Sequence, residues 1–336
     1  MKTVNKINSA LEKILKKDKY SLILGEDLLD PYGGAFKVTQ GLSTKYPKQI
    51  ISTPISEAGF TGIASGMMYS GLNPIVEIMF NDFLTLITDI IINSSSKFSW
   101  FSKNKMKGKL LIRVPGGGGR GYGPIHSQNL EKLFFGWPNI DIFATNLIYD
   151  PYELLLDVYE SKTNVKFFLE NKVDYTKDIL NKEDLDKQGF KLETIKNDVV
   201  DNLIYNSDSI KGSDITFCCY GGSVEKTLNA AKDLFISDEI SSLVVVPSKI
   251  APMNKEVLEK IAFYSKKLVI IEEGYAESGW GSYLLTQLTK FENTINVNNV
   301  KILGPKFEPI PANFEKEKNH FVTKENIIKE VKAFYE

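Results

Sequence analysis

The first apolar positions set a pattern that the rest of the chain repeats. Ile7, Leu11, Ile14 and Leu15 recur at helical spacing, and the run YSLILGED at 20–27 is short, apolar and ended by acids, so a helix leads into a buried strand. In order there follow strand-like KQIIST, helix-like SEAGFTGIASGMMYSG, strand-like PIVEIMF, a long helix from about Asp82, strand-like KLLIRVP, a short helix after His126, IDIFAT, PYELLLDVYESK and VKFFLEN. Strands and helices in strict turn require crossover connections, which predicts a mostly parallel sheet. Between about 172 and 212 the pattern fails in a charged, Asn-rich stretch containing NKEDLDKQ and YNSDSIKGSD, where a domain boundary is expected. Alternation resumes with DITFCCYG, a helix from Val224 to Phe235, SSLVVVP, a helix from Lys255, KKLVIIEEG, a helix from Gly281, VKILG and a terminal helix in ENIIKEVKAF. The expected fold class is α/β with two doubly wound domains: 1–185, a linker over 186–212, and a smaller domain over 213–336.

A length of 336 residues agrees with two domains, each able to bury a core. With 41 basic against 42 acidic residues the net charge is −1, so nothing electrostatic points to nucleic acid or anionic lipid. The longest apolar runs, such as LTLITDIII at 84–92, are broken by Asp89 and fall short of the ~20 residues a bilayer requires. The N-terminus has helical periodicity and no signal-peptide core, so a cytoplasmic protein is expected. Cys218 and Cys219, adjacent in ITFCCYG, suit neither a disulfide nor a metal knuckle and are expected to pack as small buried hydrophobes.

The densest chemical signal is RVPGGGGRGYGPIHSQ at 113–128, which holds six glycines and one of the chain's two histidines. Gly116, Gly118 and Gly121 formally match the dinucleotide fingerprint G-x-G-x-x-G. The context fails, because such a turn enters a helix at its third glycine, whereas Gly121, Gly123 and Pro124 postpone any helix until Ser127. The absence of Gly-Lys-Ser/Thr removes a P-loop as well. The run instead supplies backbone able to approach another surface closely, with Ser127 placed to cap a helix in QNLEKLFF and His126 beside that helix start. A lone histidine there serves either as a structural tie for the loop or as a group that donates and accepts protons.

Together with GEDLLDPYGGAFKVTQGL (25–42), STPISEAGFTGIASG (52–66), PIVEIMFNDF (74–83) and VIIEEGYAESGWGS (269–282), this segment resembles the beta subunit of the thiamine-diphosphate-dependent first component of 2-oxo acid dehydrogenase complexes. The likeness to the pyruvate, branched-chain and acetoin type runs in order over essentially the whole chain. It implies an N-terminal domain of transketolase type that binds the cofactor's aminopyrimidine, and a C-terminal transketolase-type domain that builds subunit contacts. It carries Glu57 of ISEAGF onto the carboxylate facing the pyrimidine N1′. An acid there favours the imino tautomer of the 4′-amino group, whose nitrogen can remove the thiazolium C2 proton. Met79 and Phe83 fall where relatives place apolar side chains against the ring, and an aromatic face can stack on a flat heterocycle. Read without the resemblance, Glu57 is a first-turn helix acid, and Met79 and Phe83 are core.

Glu26 in GED matches a family carboxylate in an acidic passage between the cofactors, and His126 matches the HSQ histidine near substrate and lipoyl group. An imidazole there can stabilise a carbonyl or enolate oxygen and shuttle protons during acyl transfer. Tyr122, Arg120 and Arg113 are expected to shape this entrance. Glu272, Glu273 and the Gly279-Trp280-Gly281 turn are assigned to interface and packing, and His320 to an exposed, idle position.

Relatives hold magnesium and pyrophosphate with Gly-Asp-Gly and a later Asn, and this sequence contains no Gly-Asp-Gly. A hard cation bridging phosphates needs an oxygen cage, so the resemblance implies half a site, with thiamine diphosphate shared across the interface with an alpha subunit that holds Mg2+, in an α2β2 assembly. It also implies a small 2-oxo acid substrate and transfer to a lipoyl domain of the second component. Some relatives hold a structural K+ with backbone carbonyls. Two alternatives are a two-chain transketolase-like or acyloin-forming carboligase, and a scaffold subunit without chemistry.

Overall fold

The computed structural model describes residues 1–103, 105, 107–292 and 295–335. Its strands are β1 Ser21–Gly25, β2 Ile50–Ser52, β3 Asn73–Glu77, β4 Leu110–Gly116, β5 Ile140–Ala144, β6 Val165–Asn171, β7 Lys191–Lys196, β8 Val200–Tyr205, β9 Ile215–Cys219, β10 Ser242–Val246, β11 Lys249–Ala251, β12 Leu268–Ile271 and β13 Val300–Leu303. They form a seven-stranded sheet, β11-β5-β6-β4-β3-β1-β2, and a six-stranded sheet, β13-β12-β9-β10-β8-β7. Pairing is parallel in both except where β11, β8 and β7 join. Strands such as β4, β5 and β9 are buried along their whole length, as expected where helices cover both faces of a parallel sheet. The two-domain α/β architecture is therefore that of the alternating pattern.

The helix Thr3–Lys17 shows how the periodicity becomes packing. Ile7, Leu11, Ile14 and Leu15 lie on one stripe and share a core with Leu154, Leu155 and Val158 of the helix Pro151–Glu160. That second helix ends on an ammonium: buried Lys166 donates to the carbonyls of Val158, Tyr159 and Ser161 at 2.9, 2.9 and 2.8 Å. The Val158 carbonyl also accepts the Ser161 amide at 3.3 Å, and a cation suits the negative end of the helix dipole. Cys218 and Cys219 are buried on opposite faces of β9.

Three local expectations are changed. Residues 186–212, expected as a linker, contain the antiparallel pair β7 and β8 at the edge of the second sheet. Most of β7 is solvated, so its charged sequence hides an edge strand. The segment after SSLVVVP supplies β11, which crosses to the first sheet and pairs with β5, while the indole Nε1 of Trp280 donates to the Ile250 carbonyl at 3.0 Å. The two domains are thus tied by main-chain pairing. Arg113, expected at an entrance, is 0% exposed in the middle of β4. Its guanidinium bonds Glu77 of β3 at 2.5 Å and Glu170 of β6 at 2.8 Å, and Tyr175 donates to Glu170 at 2.7 Å.

Removing one member of a buried ionic cluster strands the rest. Arg113→Met is expected to lower unfolding stability by about 3–5 kcal/mol in denaturant titrations, because two carboxylates lose their cation.

Candidate active site

In open α/β sheets, ligand sites form beyond the carboxyl ends of the strands. Here the neighbours β1, β3, β4 and β6 deliver Glu26, the segment from Ile78 to Phe83, the glycine loop with His126, and Lys172 to the same edge. Glu57 arrives from β2, which lies beside β1, as the first residue of the helix Glu57–Tyr69.

Glu57 is 6% exposed and Glu26 is 7% exposed. Among the described residues no donor bonds the Glu57 carboxylate, and the buried Oε1 of Glu26 has no partner. Burial, the Glu57 charge and then Asp27 push Glu26 up to about 7. Glu57 and Glu26, both largely buried as residues, thus keep hydrogen-bonding capacity that a polar ligand could take up. Ser56 precedes the helix without a side-chain cap bond.

The imidazole of half-buried His126 lies edge-on to Phe80 at 4.6 Å and to Phe83 at 5.4 Å between ring centroids. Phe83 and His126, singled out separately in the sequence, are thus brought together. Met79, half-buried, sits on the same segment as Phe80. Phe36, from the loop after Glu26, meets Phe80 at 5.6 Å between ring centroids. Tyr122 also packs edge-on to Phe80, and Arg120 lies over Phe36 while donating to the Lys172 carbonyl.

No α-helix starts at Ser127. The chain makes only a 3-10 turn at Glu131–Phe134, and side chains from outside hold the backbone before it: Asp82 accepts from Gln128 N and Nε2, and Asn81 from Leu130 N. No helix dipole therefore acts on His126. Instead buried Lys172 donates to the His126 carbonyl at 2.5 Å, with its ammonium 5.0 Å from the Phe80 ring centre and burial holding it down to about 8. A Cβ on Gly118 would fall 2.0 Å from the Phe321 ring, and Gly121 takes a φ of 76°. The glycines therefore serve close approach to the second domain, not a phosphate.

His320, expected to be exposed, is buried between Tyr275 and Phe321 with neither ring nitrogen bonded, and burial lowers its proton affinity. The polar residues around it misled the expectation, since the burial comes from the packing of the C-terminal segment. Glu272 accepts the amides of Trp280 and Gly281 at 2.8 and 2.9 Å and fixes the start of the helix Trp280–Leu288, a packing role. Glu273, raised to about 7 by burial, accepts from Asn171 across the domain junction.

Residues 1–177 match the family model described as Transketolase, pyrimidine binding domain, and 208–327 match Transketolase, C-terminal domain. A mitochondrial pyruvate dehydrogenase E1 component subunit beta-2 of Oryza sativa subsp. japonica is 31% identical over 82% of this chain and 70% of its own length. The mitochondrial pyruvate dehydrogenase E1 component subunit beta of Dictyostelium discoideum is 33% identical over 82% of this chain and 74% of its own length, and a pyruvate dehydrogenase E1 component subunit beta of Rickettsia felis 28% over 97% and 95%. The chain belongs to the pyruvate dehydrogenase E1 beta-subunit family. The fold agrees: a chain described as split gene transketolase, inactive beta4 tetramer, superposes with a TM-score of 0.69 over 98% of this chain and 97% of that one at 17% identity.

Around the residues that the family motifs point to, this E1 beta-family chain adds Phe36, Phe80, Asp82, Lys172 and Glu317. Phe80 and Asp82 lie inside the motif PIVEIMFNDF and were open to notice, whereas Lys172 and Glu317 carried no local signal. Because the folded chain keeps the Glu26 proton to about 7 against the usual 4.5, this group's stabilising contribution is complete below about 4.5 and is lost as the pH rises to about 7. Glu26→Gln abolishes that loss. The isolated variant is expected to gain on the order of 1–2 kcal/mol over wild type between pH 4.5 and pH 8 in denaturant titrations.

Proposed function

We propose that this chain is the beta subunit of a thiamine-diphosphate-dependent E1 enzyme that decarboxylates a small 2-oxo acid and passes the acyl group to a lipoyl domain. One observation carries it: Glu57, a residue only 6% exposed at the mouth of the first domain, accepts no hydrogen bond from any described residue. When bound, the cofactor would supply the electron sink that decarboxylation needs. Glu57 would hold the proton at the pyrimidine nitrogen, an exchange that an amide cannot perform. Met79 and Phe83 would wall the ring and keep water from it, while Glu26, poised to gain or lose a proton near neutrality, would relay protons at the acidic end. His126, whose ring bears no bond from another described residue, would donate to the substrate oxygen and shuttle a proton during acyl transfer.

The chain would work with an alpha subunit that brings the Mg2+ and pyrophosphate site, in an α2β2 heterotetramer. Ile55 is 84% exposed and Ile63 59% exposed on either side of buried Glu57, apolar surface that a partner at this mouth would cover. No helix among the described residues is long and apolar enough to cross a membrane, and a cytoplasmic location fits this reading.

The test is co-production with an alpha subunit and assay of a 2-oxo acid panel with thiamine diphosphate and magnesium. Glu57→Gln is expected to slow turnover by about 10²-fold or more without changing assembly measured by sedimentation; wild-type turnover by that variant would refute the role of Glu57. His126→Ala is expected to cut transfer to a lipoyl acceptor more than decarboxylation followed with an artificial oxidant, and equal losses would remove its transfer role.

A further inference from the structure

The loop that carries His126 is held from the other domain. A C-terminal strap, Ala312 to Phe321, crosses the glycine loop: Phe321 covers Gly118, Phe314 lies 3.4 Å from where a Gly121 Cβ would stand, and Ala312 lies against Gly123. Inside the strap, on the short helix Phe314–Lys318, Glu317 is 0% exposed. Both of its oxygens are used on the loop: one accepts the Gly121 amide and the other the Ser127 hydroxyl at 2.7 Å. These two donors bracket Tyr122 and His126. The strap itself is fixed to the second domain, where Lys306 N donates to the His320 carbonyl at 3.0 Å and Lys226 donates to the Val322 carbonyl at 3.0 Å.

We propose that Glu317 is a positioning residue for His126, holding residues 121–127 in the shape that sets the imidazole against Phe80 and Phe83. A loop this rich in glycine loses more backbone entropy than most when it is ordered. Bonds to an ionised carboxylate are short and strong enough to offset part of that loss, and they are made in a buried place where nothing else can replace them. Lys172 pulls on the His126 carbonyl from the first domain, so the loop is clamped from two sides and its geometry depends on how the domains are joined. Lys172 also lies within the field of Glu317, whose charge favours the ammonium form that the clamp needs. The catalytic part of this inference rests on the transfer role proposed for His126, while the clamping part does not.

Glu317→Ala, Glu317→Gln and Ser127→Ala are compared with wild type in the reconstituted alpha–beta enzyme. Glu317→Ala is expected to speed amide hydrogen exchange over 117–128 by about 10-fold or more, the loss of two charge-assisted bonds, with Ser127→Ala intermediate. Transfer to a lipoyl acceptor should fall by about 10-fold while decarboxylation with an artificial oxidant falls less, and Glu317→Gln, which keeps one strong acceptor, should recover part of the loss. The double variant with His126→Ala should be no slower than His126→Ala alone, because a residue acting through another is not additive with it. Unchanged exchange in Glu317→Ala would overturn the clamp, and losses that multiply in the double variant would overturn the action through His126. Should Glu317→Ala fail to fold, unchanged exchange and transfer in both Ser127→Ala and Glu317→Gln would overturn the proposal equally. If His126→Ala keeps full transfer, the functional reading of the histidine fails instead, and exchange alone then decides whether Glu317 holds the loop.

Discussion

The guanidinium of Arg113 binds Glu77 on one neighbouring strand and Glu170 on the other, and so joins β3, β4 and β6 at the depth where the sheet is driest. These are the strands whose ends carry Phe80 and Phe83, the His126 loop, and Lys172. In a medium of low dielectric a paired charge has few alternative positions, so register among the three strands is tightly specified. The residues at the ends of these three strands are built outward from that anchor. The Tyr175 hydroxyl extends the network to the turn after β6, adjacent to Lys172.

The second domain is more than a neighbour. It lends β11 to the first sheet, an acceptor for Asn129 through the Glu273 carbonyl at 3.0 Å, and Glu317 to the glycine loop. The acids Glu26 and Glu57 belong wholly to the first domain, whereas the histidine end is shaped by both. The site therefore has one end whose chemistry is local and one whose geometry depends on domain packing.

Much of the site was legible because its residues sit in short motifs at strand ends. In α/β chains an apolar run followed by polar residues marks where a ligand site can form, but the roles of GED, ISEAGF and the segment ending NDF came from the family resemblance, since without it Glu57 reads as a first-turn helix acid and Met79 and Phe83 as core. Legibility failed where structure came from far away in sequence. The β7 sequence KLETIK looks like a solvated linker because an edge strand buries one face at most. Arg113 looked like an entrance residue because nothing near it in sequence announces Glu77 or Glu170. In place of the helix expected after His126 stands a segment held by Asn81 and Asp82, whose bonds to that backbone no local propensity predicts.

The sequence by itself determined most of the alternation of strands and helices and the two α/β domains, since periodicity is a local property, while Glu26, Glu57 and His126 were singled out by the resemblance of their motifs to a known family. Tertiary structure alone decided that Phe80 and Phe83 flank His126, that His320 is buried, and that Glu317 reaches back about two hundred residues to Ser127 and Gly121. The physical reason is that these contacts form where two cores meet, and side chains there are selected by distance in space, which spacing along the chain does not encode.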